Sequence, residues 1–258
     1  MAALPHRIHN SGVDNLHTKF VRKVLFIKKN MFTAQKTRKE NIAEYILYLW
    51  QLEDLLRALQ FSPEAIYSQL VQPSGLSESQ KQAAFLWYMD IVNLLREEGK
   101  EQQGHLEHTL HLIADLNNLH NQLLVLPVGA EYRRLYSRVA PELPKMKARL
   151  KDSNISDVEL FFRALYSVVL LRIQSAGKHN HKVQGGSTTS PAAASDTETN
   201  GNTDASRQKY IDDVLTLISP VVAELATMFR KIERGEIDLF GNDPKAETPS
   251  NETKTNVH

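Results

Sequence analysis

The densest group of side chains that could do chemistry is the histidine cluster in Gly104-His105-Leu-Glu-His108-Thr-Leu-His111-Leu-Ile-Ala-Asp115. On a helix wheel, His108, His111 and Asp115 share one flank outside the apolar stripe. Imidazoles and a carboxylate can ligate a transition metal, but three ligands from one helix need further groups to form a specific site. The spacing matches neither H-E-x-x-H nor H-x-x-E-H. We therefore expect these three residues to form a solvated polar edge. They are also the candidate ligands if the cluster binds a metal.

A second set of polar side chains lies within or beside apolar stripes: Glu53, Arg57, His105, His120 and Arg172. A charge that loses water needs a partner. One interpretation is an i,i+4 pair of Glu53 and Arg57 at the edge of the core. The other is a buried polar network that marks a ligand site, in which Arg172 meets Glu53. His120 is expected to be a hydrogen-bonded core histidine.

A third feature is the basic segment 132–151, which holds seven basic side chains and two tyrosines. Such a mixture binds single-stranded nucleic acid through phosphate contacts and stacking. The candidate contacts are Arg133, Arg134 and Arg138. Two prolines interrupt the segment, and basic helix ends are usually only solvated. We therefore do not expect nucleic acid to be the main partner.

The elements that must position these side chains are helices. Within 40–59, apolar residues recur on one stripe, with Glu44 and Gln51 on the opposite side. The run over about 157–175 is apolar almost all the way round, which is typical of the central helix of a bundle. Ser77 and Ser156 begin capping boxes. The sequence thus predicts an all-α fold, a single bundle of about six to eight helices.

Changes in composition divide the chain into five parts. The segment around 176–206 has almost no large apolar side chains to offset the entropy of ordering. The following amphipathic helix, kinked at Pro220, would expose its stripe unless it docks. We predict a disordered or non-native extension over 1–30, a helical bundle over 31–175, a disordered linker over 176–206, a docking C-terminal helix over 207–234 and a flexible tail over 235–258.

Composition excludes several classes of protein. Of the 258 residues, 41% are hydrophobic, which is enough for a core. The 31 basic and 30 acidic side chains nearly cancel, so the net charge does not favour nucleic acid or a membrane surface as a partner. The lack of cysteine excludes disulfides, thiolate chemistry and cysteine-ligated zinc. No apolar run reaches the roughly 18 residues of a membrane span. Phosphate-binding glycine loops, nucleophile elbows and Glu-x-x-His pairs are missing. We expect a cytoplasmic protein without a cofactor or a membrane partner.

Several blocks occur in an order that resembles a known family: the run over 34–58, Gly104-His-Leu106, Phe161-Phe-Arg-Ala-Leu-Tyr166 and Leu170-Leu-Arg172. The family comprises small all-helical proteins of unknown function from Bacteroidetes-type bacteria. The resemblance covers about 31–175 and the last helix, and it implies a helical fold without a known activity.

Our interpretation of the sequence is a non-catalytic interaction or structural protein. Its partner would be an unknown protein or a second copy of the chain, because amphipathic helices can pair between subunits. The first alternative is a helical bundle, or an enzyme, that binds a metal or a small ligand through the buried Glu/Arg/His network. The second alternative is a weak nucleic-acid binder that uses 132–151.

Overall fold

The computed structural model describes residues 31–150, 154–183 and 197–239, with side chains for 31–150, 154–175 and 205–239. All regular secondary structure in these ranges is helical, as the sequence predicts. The α-helices are α1 (Met31–Glu40), α2 (Ile42–Ala58), α3 (Pro63–Ile66), α4 (Glu78–Glu97), α5 (Glu107–Val125), α6 (Ala130–Val139), α7 (Leu143–Leu150), α8 (Asp157–Val183), α9 (Thr197–Leu217) and α10 (Ser219–Glu233). No described helix is both long enough and apolar enough to cross a membrane.

Helix α2 is packed on nearly all sides. It starts at Asn41, whose side chain accepts hydrogen bonds from the backbone N–H groups of Ala43 and Glu44. Twelve of its 17 residues are buried, including Glu44 and Gln51. The helix wheel places these two residues opposite the buried stripe, but neither side chain is exposed to solvent. Neighbours surround the helix, since α1, α4, α5, α8 and α10 all contact it.

Helix α8 lies in the main hydrophobic core, as its apolar composition predicts. Phe161, Leu165 and Val168 are at most 2% exposed. They pack with side chains of α2, α5, α9 and α10 in one cluster, while a second cluster joins the other side of α2 to α3 and α4. Helix α2 therefore separates two cores and presents side chains to both.

Local signals at several helix ends are confirmed. Ser77 forms a capping box with Gln80 at the start of α4. The hydroxyl of Ser156 accepts from the backbone N–H of Glu159 at 3.1 Å, which is the serine half of the predicted capping box at the start of α8, while the Glu159 carboxylate binds Arg163. Pro220 does more than kink the last helix. The chain forms two helices that meet at Ile218, because proline has no N–H to continue the hydrogen-bond ladder.

Two helices extend into the segment 176–206, which the sequence predicts to be a disordered linker. Helical backbone continues to Val183 and resumes at Thr197. Residues 184–196, like the predicted extension over 1–30 and most of the predicted tail over 235–258, lie outside the described residues. The division of the chain into five parts stays a prediction.

Candidate functional site

The most distinctive polar contact in the structure joins Glu53 of α2 to His105, which precedes α5. Glu53 is fully buried. One of its carboxylate oxygens lies 2.7 Å from His105 Nδ1, and the other accepts a hydrogen bond from the backbone N–H of Leu106 at 3.3 Å. Because a carboxylate accepts hydrogen bonds, Nδ1 is the ring nitrogen that carries the hydrogen. In the neutral imidazole, the other ring nitrogen, Nε2, is then the acceptor.

Aromatic side chains fix the plane of the His105 ring. Trp50 stacks on it, with ring centres 3.8 Å apart and planes at 7°. Tyr166 of α8 meets it edge to face at 5.9 Å. The indole is itself anchored, since Trp50 Nε1 donates to Thr109 Oγ1 at 3.0 Å. The imidazole therefore has one orientation, held on two sides by rings and at one edge by a carboxylate.

Tyr166 is a neutral hydrogen-bond donor in this site. Its hydroxyl donates to Asp54 Oδ2 and lies 3.1 Å from the carbonyl oxygen of Trp50. Burial, followed by the hydrogen bond to Asp54, raises the pKa of Tyr166 above its usual 10.0. The phenol therefore keeps its hydrogen at physiological pH.

Arg57 fastens the connection between α4 and α5 onto α2. Its guanidinium donates to the carbonyl oxygen of Lys100 at 2.9 and 3.0 Å and to that of Gly104 at 2.6 Å. It also pairs with Asp54 at 2.8 Å. The predicted i,i+4 pair with Glu53 is wrong, because the structure gives the carboxylate of Glu53 to His105. Arg57 thereby positions the backbone just before His105.

An open cleft of about 710 Å³, here called the Trp50 cleft, lies beside the histidine. It is lined by Trp50, Gly99, Lys100, Gln103, Gly104, His105, Leu110, Glu159, Arg163, Tyr166, Ser167 and Leu170. The side chain of His105 is 22% exposed. Since Glu53 occupies the Nδ1 edge, we assign the exposed part to the edge that carries Nε2.

The charges around the Trp50 cleft are balanced by ion pairs. Lys100 pairs with Glu107 at 3.2 Å, and Arg163 pairs with Glu159 at 2.6 Å. Each cation also keeps donors beyond the one that its carboxylate uses, because ammonium has three N–H groups and guanidinium five. The site offers an acceptor at His105 and cationic donors in the same lining.

His120 lies elsewhere in the protein. It is 3% exposed, and its Nδ1 is 2.6 Å from the hydroxyl of Tyr132. Tyr136 packs edge to face against the imidazole and donates to Asp157 at 2.6 Å. Lys147 binds the same carboxylate at 2.8 Å. This group ties α5, α6, α7 and α8 together, and it is not part of the Trp50 cleft.

The burial of His120 makes stability depend on pH. Burial lowers the pKa of His120 below 6.5, although the charge of Asp157 acts in the opposite direction. Below pH 6.5 the unfolded chain binds a proton that the folded chain resists, so the free energy of unfolding falls as the pH drops through the lowered pKa. We expect His120→Gln to flatten this decline below pH 6.5, measured by urea unfolding over a series of pH values.

Tyr132→Phe is the matched control for that experiment. It removes the hydroxyl that binds His120 but leaves the imidazole buried. Because burial is the main cause of the lowered pKa, this variant should be less stable yet retain the pH dependence. An unchanged slope in His120→Gln would show that His120 is not the group responsible.

Arg172 does not contact Glu53, so that predicted contact is wrong. The carboxylate of Glu53 is bound by His105 and Leu106. Arg172 is half-buried, and the acidic group that acts on it is Asp212 of α9. Burial lowers the pKa of Arg172, and Asp212 opposes this shift. The neighbour of Arg172 is α9 of the same chain, which no pattern within α8 identifies.

The metal candidates do not converge. His108 Nε2 lies 3.2 Å from the hydroxyl of Tyr45, while His111 and Asp115 are exposed on α5. Within the parts of the chain that the structure describes, no group of three or more histidine, cysteine, aspartate or glutamate side chains could hold a metal ion. A helix flank alone supplies too few ligands.

The predicted nucleic-acid contacts are partly used within the chain. Arg133 donates to the carbonyl oxygens of Leu123 at 2.9 Å and Leu126 at 2.6 Å, which caps the end of α5. Arg134 pairs with Glu131 at 2.6 Å. Arg138 is exposed. The basic segment therefore contributes to internal structure, and its sequence alone could not show this because the acceptors are backbone oxygens.

Fold and site together define an all-helical bundle in which a histidine–carboxylate pair borders an open cleft. The family model described as a domain of unknown function, DUF4924, matches residues 31–192, and the chain belongs to this family. No curated protein and no solved structure matches the chain. The matched segment contains the whole lining of the Trp50 cleft, whereas α9 and α10 follow it.

Proposed function

We propose that the protein binds a small neutral organic ligand in the Trp50 cleft, with a hydroxyl or amide N–H of the ligand donating to His105 Nε2. The observation that carries the proposal is the fixed imidazole, held by Glu53 and Trp50, at the edge of a cleft of about 710 Å³. A cleft of about 300–1,000 Å³ with a few convergent polar groups is typical of small-molecule sites.

The polar pair is not needed for packing alone. Replacing a buried ionic or polar pair by apolar side chains of similar volume is often neutral or stabilising. A structural role would also be complete with His105 shielded, yet its side chain is 22% exposed in the cleft lining. The arrangement fits a binding group: buried Glu53 sets the orientation of the imidazole, and the opposite edge of the ring faces the cleft.

The composition of the lining indicates the chemistry of the ligand. Leu110 and Leu170 give the Trp50 cleft an apolar part, and Gln103 and Ser167 add polar groups. The ion pairs of Lys100 and Arg163 balance the charge at the lining. A neutral molecule with an apolar body and one hydrogen-bond donor matches these features better than a highly charged one.

The interaction or structural interpretation has less specific support. The exposed large apolar side chains of the described residues are distributed over several elements, with Leu86 and Leu94 on α4, Val125 at the end of α5, and Leu170 and Ile173 on α8. Apolar residues scattered singly over a surface are normal. The ligand-binding proposal instead depends on one defined cleft and its polar contacts.

The test uses benzyl alcohol as the probe and benzyl methyl ether as its matched control. NMR titration of the full chain should show that benzyl alcohol shifts the resonances of the His105 ring and the Trp50 indole N–H. The ether has the same apolar body but no donor, so we expect about fivefold weaker binding, equivalent to about 1 kcal/mol for one hydrogen bond.

Two variants make the assignment specific. His105→Gln should reduce the preference for the alcohol over the ether, whereas His111→Gln, on the exposed surface of α5, should leave it unchanged. The proposal is wrong if neither probe perturbs the cleft, or if the alcohol and the ether bind equally well to the unaltered protein.

A further inference from the structure

We infer that His105 is a general base toward water and that the Trp50 cleft hydrolyses a small neutral carboxylic ester. This inference rests on the proposed function, because the ester must first bind in the same cleft. The geometric basis is the combination of a base, a residue that orients the base, and cationic donors within one lining. That combination supplies three of the groups that a hydrolytic site uses: a base, its orienting residue and donors for developing negative charge.

The base and its orienting group are His105 and Glu53. A general base works best when the acceptor nitrogen is fixed in the correct tautomer. The 2.7 Å contact with Glu53 keeps the hydrogen on Nδ1. The stacked Trp50 prevents rotation of the ring out of this contact. His105 is therefore the catalytic residue in this proposal, and Glu53 is a positioning residue.

The cationic donors are Lys100 and Arg163, which line the same cleft. Ester hydrolysis develops negative charge on the carbonyl oxygen, and donors placed beforehand stabilise that charge. Arg163 uses one N–H on Glu159, and the guanidinium has five such donors. Tyr166 does not serve this purpose, because its hydroxyl already donates to Asp54.

The reaction needs only water as the second reactant. His105 Nε2 takes a proton from a water molecule while the water oxygen bonds to the acyl carbon and the carbonyl electron pair moves onto its oxygen. The tetrahedral adduct then reforms the carbonyl group, the bond to the alkoxide breaks, and Nε2–H returns the proton to the alkoxide. The products are a carboxylic acid and an alcohol, with no net change at His105 and no redox step.

The experiment measures hydrolysis of 4-nitrophenyl acetate by the full chain. His105→Gln should lower kcat/KM by about 100-fold, which is the smaller end of the effect of a general base. His111→Gln should retain the rate of the unaltered protein and corrects for reaction at exposed histidines. Glu53→Gln should lower kcat about tenfold or more, because an amide can hold the wrong tautomer, while KM stays the same.

Binding of benzyl alcohol separates the two proposals. In the unaltered protein it should inhibit the ester reaction competitively, with an inhibition constant equal to its dissociation constant. If benzyl alcohol binds but the ester reaction is no faster than in His105→Gln, the catalytic inference is overturned and the binding proposal stands. If benzyl alcohol does not bind, both fail. A fall in kcat for Glu53→Gln with unchanged thermal unfolding distinguishes positioning of His105 from loss of structure.

Discussion

Leu225→Asp is expected to abolish cooperative folding of the protein. Leu225 of α10 is 0% exposed and lies in the core cluster that also contains Phe161 and Leu165 of α8. Removing a buried leucine and placing a carboxylate there costs about 5 kcal/mol or more. The whole stability of a typical domain is about 5–15 kcal/mol. Far-UV circular dichroism during urea titration should show a greatly weakened or missing transition.

Leu94→Asp is the matched control. Leu94 lies on α4 and is 43% exposed, so its replacement should change the free energy of unfolding by about 0.5 kcal/mol or less. Similar losses in both variants would contradict the structural assignment of α10 to the core. A cooperative transition in Leu225→Asp at the urea concentration of the unaltered protein would contradict it as well.

The reason for this large effect is that α9 and α10 complete a core whose other walls lie in the family segment. The family model ends at residue 192, before α9 begins at Thr197. Yet Ile211, Val214, Val221 and Leu225 are at most 4% exposed within the same cluster as α2, α5 and α8. Without these helices the cluster would lose one wall, and apolar surface of the matched segment would face water.

Much of the fold follows from local pattern. The apolar run around Phe161, the serine caps at 77 and 156 and the break at Pro220 each act within a few residues. Such signals depend on helix geometry and on backbone hydrogen bonds near helix ends. They therefore predict helices and the central position of α8 without any knowledge of the tertiary arrangement.

The candidate site could be predicted only in part, because its contacts are long-range. Glu53 and His105 were both recognisable as polar residues near apolar stripes, but 52 positions separate them in sequence. A helix wheel compares Glu53 only with residues of its own helix, such as Arg57. In the structure, the carboxylate of Glu53 instead contacts His105. Trp50 and Tyr166 carried no signal of a role in the site, since aromatic residues on an apolar stripe are usually core.

Gly129→Ala is expected to be the most destabilising single-methyl change at a described glycine. A Cβ atom at this position would lie 1.9 Å from the carbonyl oxygen of Leu123 and 2.6 Å from its carbon. These are backbone atoms, which cannot rotate away as a flexible side chain does. We expect a loss of about 3 kcal/mol or more in the free energy of unfolding, at the upper end of overpacking effects, measured by urea denaturation.

The backbone angles of Gly129 show that the effect is steric contact and not restricted torsion. Its φ is −85° and its ψ 14°, a region that alanine also adopts. Gly75→Ala is the opposite case, with φ at +73° and no heavy atom within 4 Å of the added Cβ, so it should cost about 1 kcal/mol. If Gly129→Ala costs no more than Gly75→Ala, the close approach is not a feature of the protein in solution.

 The carbonyl oxygen of Leu123 accepts from Arg133 at 2.9 Å while Gly129 passes beside it, so α6 returns along α5. This return places the hydroxyl of Tyr132 2.6 Å from His120. Gly129→Ala should therefore also broaden or shift the His120 ring resonances in NMR spectra, whereas Gly75→Ala should leave them in place.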